Sequence, residues 1–169
     1  ERTWTDTGSH TTPPLKHISC GYEMSPVYCC LHCSRRISAD SVQLRWGPAG
    51  GWERMASDAT TRRRAAQSGS GRHSFYPDSM AVLGNRWSTM ILAAAFRGIT
   101  RFRDFETALG IPPLILAERL ASLCEHQIFE QVQLNSNSNW SEYRLTPRGV
   151  ETYPALGIIV DWAERWCPD

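Results

Sequence analysis

The chain has 169 residues, 41% of them apolar, a formal net charge of +1 and six cysteines. That length supports one sizeable core and a small appendage. No apolar run is long enough to span a bilayer, and the N-terminus lacks the charged-then-apolar order of a signal peptide. No Ser/His/Asp arrangement, phosphate-cradling glycine loop or paired carboxylate site stands out, so the residues point away from an enzyme.

The charge is unevenly placed. Residues 1–74 hold 10 Lys+Arg against 6 Asp+Glu, and residues 75–169 hold 8 against 11. Any attraction of the second part to phosphate must therefore come from local patches. Four of the cysteines, Cys20, Cys29, Cys30 and Cys33, crowd near the start, whereas Cys124 and Cys167 are isolated. A reducing cytoplasm is the simpler setting, and it favours metal or free thiols over disulfides.

Residues 1–16 open without methionine and turn polar at once. Glu1, Arg2 and Trp4 echo Glu164, Arg165 and Trp166, which suggests the tail of a preceding copy of the same domain. Residues 17–46 form a Cys-rich segment. Within it His17, Cys20, Cys30 and Cys33 give H-x2-C-x9-C-x2-C, two short ligand pairs separated by a loop. A tetrahedral structural Zn2+ site is assembled that way, each pair sitting on a tight turn. Cys29 or Cys30 supplies the third ligand, and reduced cysteines packed in a minor core are the competing reading. Val27 and Tyr28, with Val42, Leu44 and Trp46, are expected to form the small hairpin that such a zinc-ribbon-like site staples. Residues 47–76, rich in Gly, Ser, Ala and Thr and carrying Arg62, Arg63 and Arg64, read as a flexible linker.

The organised domain spans residues 77–169. Pro77 opens a helix that Gly84 and Asn85 stop, and Arg86 starts the next, whose stripe of Trp87, Met90, Ile91, Ala94 and Ala95 forms the floor of the core. After RFRDFETALG a longer helix begins, with Pro112 and Pro113 tolerated only in a first turn. Leu116, Leu120 and Leu123 recur at helical spacing as its buried stripe. FEQVQL and EYRL, separated by NSNSNWS, predict a hairpin with a polar tip. Two helices at an angle followed by such a ribbon outline a winged helix-turn-helix, so the fold class is mainly α with a small β-wing, preceded by the Cys-rich β segment. Pro147 starts a last helix running to about Trp166. Tyr153, Leu156, Val160 and Ala163 form one apolar stripe on it, and Ile159, Trp162 and Trp166 a second. The second stripe predicts a dimer interface with another chain or a tandem copy.

With LGNRWSTMIL, RFRDFETALGI, LAERLASL, YRLTPRGV and DWAERW in this order, the stretch from Met80 to Trp166 resembles the HxlR family of bacterial winged-helix regulators, itself similar to the MarR group. HISCG, C-x-x-C and WGPAGG resemble an extension seen after the winged domain in tandem members. The resemblance implies a dimeric transcriptional regulator that binds double-stranded DNA, often in response to reactive electrophiles or small metabolites. Many members carry a sensing cysteine ahead of the first helix, and the aligned residue here is Ser74. On the second helix, steps of 100° place Leu114, Glu118, Ala121 and Glu125 opposite the buried stripe, a face with two acids and no cation. The usual bidentate readers of guanine and adenine cannot be built from it. DNA contact is assigned to Pro113, Leu114, Ala117 and Arg119 on that helix, to Asn137, Asn139 and Arg144 of the wing, and to Arg86, Arg101 and Arg103 as phosphate partners. Two rival readings stand beside this one. One is a degenerate copy that serves as an interaction module, and the other is a small-molecule sensor with Trp87, Phe96, Phe102 and Phe105 around a cavity.

Overall fold

The computed structural model describes residues 15–24, 27–43, 77–133 and 141–167. The linker arginines, Ser74, Leu44, Trp46 and the wing tip with Asn137 and Asn139 lie outside the described residues. The winged domain runs α1 (Pro77–Leu83), α2 (Arg86–Ala95), α3 (Phe102–Leu109), α4 (Pro113–Glu125), β3 (Phe129–Gln133), β4 (Ser141–Leu145), α5 (Pro147–Val150) and α6 (Tyr153–Trp166). Ahead of it, β1 (Leu15–Lys16) pairs antiparallel with β2 (Glu23–Met24).

Local chemistry sets the boundaries. Gly84 ends α1 where a Cβ would meet the Met80 carbonyl oxygen at 2.3 Å. Asn85 then caps α2, its side-chain oxygen accepting from the Trp87 N–H at 2.9 Å. Gly110 closes α3 in the left-handed region at φ 57° and donates to the Glu106 carbonyl. Ile111 and Pro112 complete the turn, and Pro113 stands first in α4, where its missing N–H is harmless.

The core sits between α2, α3, α4 and the root of the wing. Ile91, Leu92, Phe105, Leu116 and Leu120 have no exposed surface, and Leu123 and Phe129 are buried beside them. Burial of each such side chain contributes about 1.5–3 kcal/mol. Phe105 meets Phe129 edge to face at 6.4 Å between centroids, so it joins α3 to the wing as packed core. That removes it from the aromatic cavity of the rival sensor reading.

The wing is an antiparallel pair with Phe129 opposite Leu145 and Gln133 opposite Ser141. A third edge joins it: Arg101 bridges to Glu142, and the Tyr143 N–H donates to the Thr100 carbonyl at 2.7 Å. Thr146 ties the wing's exit down. Its hydroxyl donates to the Gln127 carbonyl at 2.6 Å and accepts from the Gly149 N–H at 3.0 Å. Gly149 is buried so close to β3 that a Cβ would lie 2.1 Å from the Ile128 carbonyl oxygen.

Three expectations are corrected. The single last helix is two, broken at Glu151 and Thr152. Pro154 is the cause, because it has no N–H for the Val150 carbonyl and its ring would strike that carbonyl in a continuous helix. The apolar stripe of α6 is also covered only at its start. Tyr153 and Leu156 are buried, whereas Val160 is 56% exposed. In the Cys-rich segment, the partner of Tyr28 is Ile37, whose N–H donates to the Tyr28 carbonyl at 2.7 Å, rather than Val42. A tight turn over Cys30–Arg35 brings the chain back at once, and Leu44 and Trp46 of the expected hairpin lie outside the described residues.

Candidate functional site

The helix that a winged domain lays in the major groove is α4. Its buried stripe forces the opposite face outward, and Pro113, Leu114, Ala117, Glu118, Ala121 and Glu125 are all exposed. Leu114 is 71% exposed at the front of the helix. Arg119 is half-buried at the margin of this face, three residues after Leu116 and so about 60° round the helix from it.

Cations flank the helix without entering its outer face. Arg86 opens α2 and stacks its guanidinium over the Trp87 ring at 4.3 Å. Arg101 and Arg103 stand at the start of α3, both exposed. Arg144 lies on β4. The structure brings Arg101 and Arg144 to one carboxylate: Glu142 is 3.7 Å from the Arg101 Nε and 2.9 Å from an Arg144 terminal nitrogen. Arg103 and Arg119 have no ion-pair partner among the described residues. Sequence reasoning named both arginines and missed the carboxylate that engages them. The signal was present, since Glu142 and Arg144 are two apart on a strand and share a face.

The four proposed zinc ligands come together in pairs. The His17 Nδ1 is 3.1 Å from the Cys20 Sγ, with both residues exposed. The Ser19 hydroxyl lies 3.2 Å from each nitrogen of the same ring. The backbone N–H groups of Cys33 and His32, with the Cys33 thiol, draw the Cys30 thiol below its ordinary value. Among the described residues, no three side chains of His, Cys, Asp or Glu are grouped closely enough to hold one metal ion. Cys29 sits apart from the pairs, bridged to Arg36.

This segment rests against the last helix, a contact invisible to sequence reasoning. A Cβ on Gly157 would meet the Tyr28 ring at 2.9 Å, so the ring lies on the bare backbone of α6. Arg36 and Glu151 form an exposed ion pair at 3.7 Å beside it. Further along α6, Ile159, Trp162 and Trp166 are 51%, 55% and 71% exposed. Ile158 and Val160 add to the same uncovered half. No described helix is long and apolar enough to cross a membrane.

Residues 82–169 match the family model described as HxlR-like helix-turn-helix. Over 90 residues the chain is 34% identical to the uncharacterized HTH-type transcriptional regulator Rv3095 of Mycobacterium tuberculosis, covering 53% of this chain and 57% of that protein. It is 30% identical over 90 residues to the HTH-type transcriptional regulator YodB of Bacillus subtilis, covering 53% of this chain and 80% of YodB. The crystal structure of PA1607, described as a candidate transcription factor, superposes with a TM-score of 0.51 at 37% identity, over 54% of this chain and 63% of that one. The chain thus spans a little over half the length of the mycobacterial relative. With the α3–turn–α4–wing order in place and more than half of its residues inside the family model, the chain belongs to the HxlR-like helix-turn-helix family.

Proposed function

We propose that the winged domain binds duplex DNA as a transcriptional regulator in the cytoplasm, working as a pair of such domains made by two chains or by a tandem copy. The observation that carries this reading is the front of α4, held outward by a fully buried leucine stripe and uncovered at Pro113, Leu114 and Ala117. Its relatives are described as HTH-type transcriptional regulators, which supports the same assignment. The chemistry of the face defines how it reads. Leu114 and Ala117 offer apolar contact to thymine methyl groups, and Glu118 offers an acceptor to the cytosine amino group. Arg86, Arg101, Arg103, Arg119 and Arg144 serve the phosphates and fix register. Asn137 and Asn139 of the wing add hydrogen bonds to the same backbone. Affinity rests on the arginines, and selection rests on methyl contacts and DNA shape.

The test is fluorescence anisotropy of the chain with duplex DNA from its own promoter region across a salt series. Five arginine–phosphate contacts give a slope of log K against log salt of roughly −4 to −5, and a pair of domains about twice that. Folded protein that fails to bind at low salt overturns the reading and leaves this domain as a pairing module.

A further inference from the structure

Two short turns outside the DNA-binding surface are built on one backbone plan. In the first, the His17 N–H donates to the Tyr22 carbonyl at 2.8 Å, and the Gly21 N–H to the His17 carbonyl at 2.7 Å. In the second, the Cys30 N–H donates to the Arg35 carbonyl at 2.9 Å, and the Ser34 N–H to the Cys30 carbonyl at 2.8 Å. Lys16 faces Glu23 across the first turn, and Cys29 faces Arg36 across the second. Counted from His17 and from Cys30, the bonds and the facing residues fall at the same offsets. So does the left-handed residue, Gly21 at φ 71° and Ser34 at φ 56°.

The sequences of the two turns, HISCG and CLHCS, share only the cysteine at the fourth place. A serine in the left-handed region is uncommon, since its Cβ disfavours that conformation. Ser34 adopts it where glycine does in the other turn, so local preference does not explain the match. A common task for the two turns does. Each turn sets its first and fourth side chains toward each other. His17 and Cys20 are 3.1 Å apart, and nitrogen and sulfur ligands on tetrahedral Zn2+ stand roughly 3.5 Å apart, given bonds of about 2.0 and 2.3 Å. In the second turn, two backbone N–H groups already point at the Cys30 sulfur, the outer-shell arrangement that a metal thiolate uses.

The geometry points to the two turns as preformed halves of one tetrahedral, zinc-class metal site with ligands His17, Cys20, Cys30 and Cys33. Among the described residues the two pairs do not form one cluster, so the site requires the two turns to approach each other as metal binds. Register also decides between the adjacent cysteines. Cys29 occupies the place of Lys16, on the paired strand and outside the turn, so Cys30 is the ligand.

The test is titration of the reduced, purified chain with Co2+, read by visible absorption and followed by displacement with Zn2+. The expected result is one Co2+ per chain with tetrahedral ligand-field bands and sulfur-to-cobalt charge transfer. C29S leaves the titration unchanged. C30S weakens it by more than about 100-fold, beyond the loss typical of outer-shell partners. H17C keeps the site and strengthens the charge-transfer band, which guards against C30S simply failing to fold. Absence of thiolate charge transfer, two ions per chain, or loss of binding in C29S with retention in C30S each overturns the inference.

Discussion

Glu142 holds two of the arginines that the DNA reading needs. Its side chain is largely covered, whereas those of Arg101 and Arg144 are about half exposed, so phosphate must compete with the carboxylate for both. Exposed ion pairs of this kind are worth about 0.2–1 kcal/mol each. E142Q is therefore expected to tighten DNA binding by about 2–5-fold and to steepen its salt dependence, both read by anisotropy. Unchanged affinity would show that neither arginine meets DNA. A second residue works through space alone. Gly149 has no room for a methyl group against the Ile128 carbonyl, and the obstacle is backbone that cannot swing aside. G149A is expected to cost about 1–3 kcal/mol, measured as a lower urea midpoint with unchanged slope.

The elements that sequence reasoning reads well are those with a repeating signal. The stripe of Leu116, Leu120 and Leu123 returns every turn, and the opposite face of α4 follows from it by rotation. The wing is legible for the same reason, with Phe129 and Leu145 placed opposite each other at its root. Features without a period escape. Thr100 and Arg101 form a strand edge too short to alternate, and the break before α6 depends on one proline whose effect is felt four residues earlier. The resting place of the Cys-rich segment is a tertiary contact between Tyr28 and a glycine far along the chain, and no local pattern encodes it. That contact sets two effects of G157A against each other. Alanine raises the stability of α6 by up to about 1 kcal/mol through helix propensity, while its Cβ displaces the Tyr28 ring. A higher melting temperature of the winged domain, with faster proteolysis between Lys16 and Gln43, is the expected combination. Unchanged proteolysis would mean that the ring does not anchor the segment.

At the scale of the molecule, the second half of α6 stands exposed among the described residues. Ile159, Trp162 and Trp166 present more apolar surface than scattered single residues do. On the pairing reading, W162E places a charge in the middle of that surface and converts a dimer to monomer in sedimentation velocity, with the winged domain still folded by circular dichroism. A monomer before substitution would assign the face to a tandem copy. The same change should halve the salt slope of DNA binding, since one domain then meets the phosphates alone.

The interruption at Glu151 and Thr152 then acquires a geometric meaning. On the pairing reading, the break at Pro154 bears on the angle between the exposed half of α6 and the outer face of α4. In a symmetric pair that angle sets the distance between the two α4 helices, which must match successive major grooves about 34–36 Å apart. On that reading Pro154 would bear on how many base pairs separate the half-sites that the pair accepts.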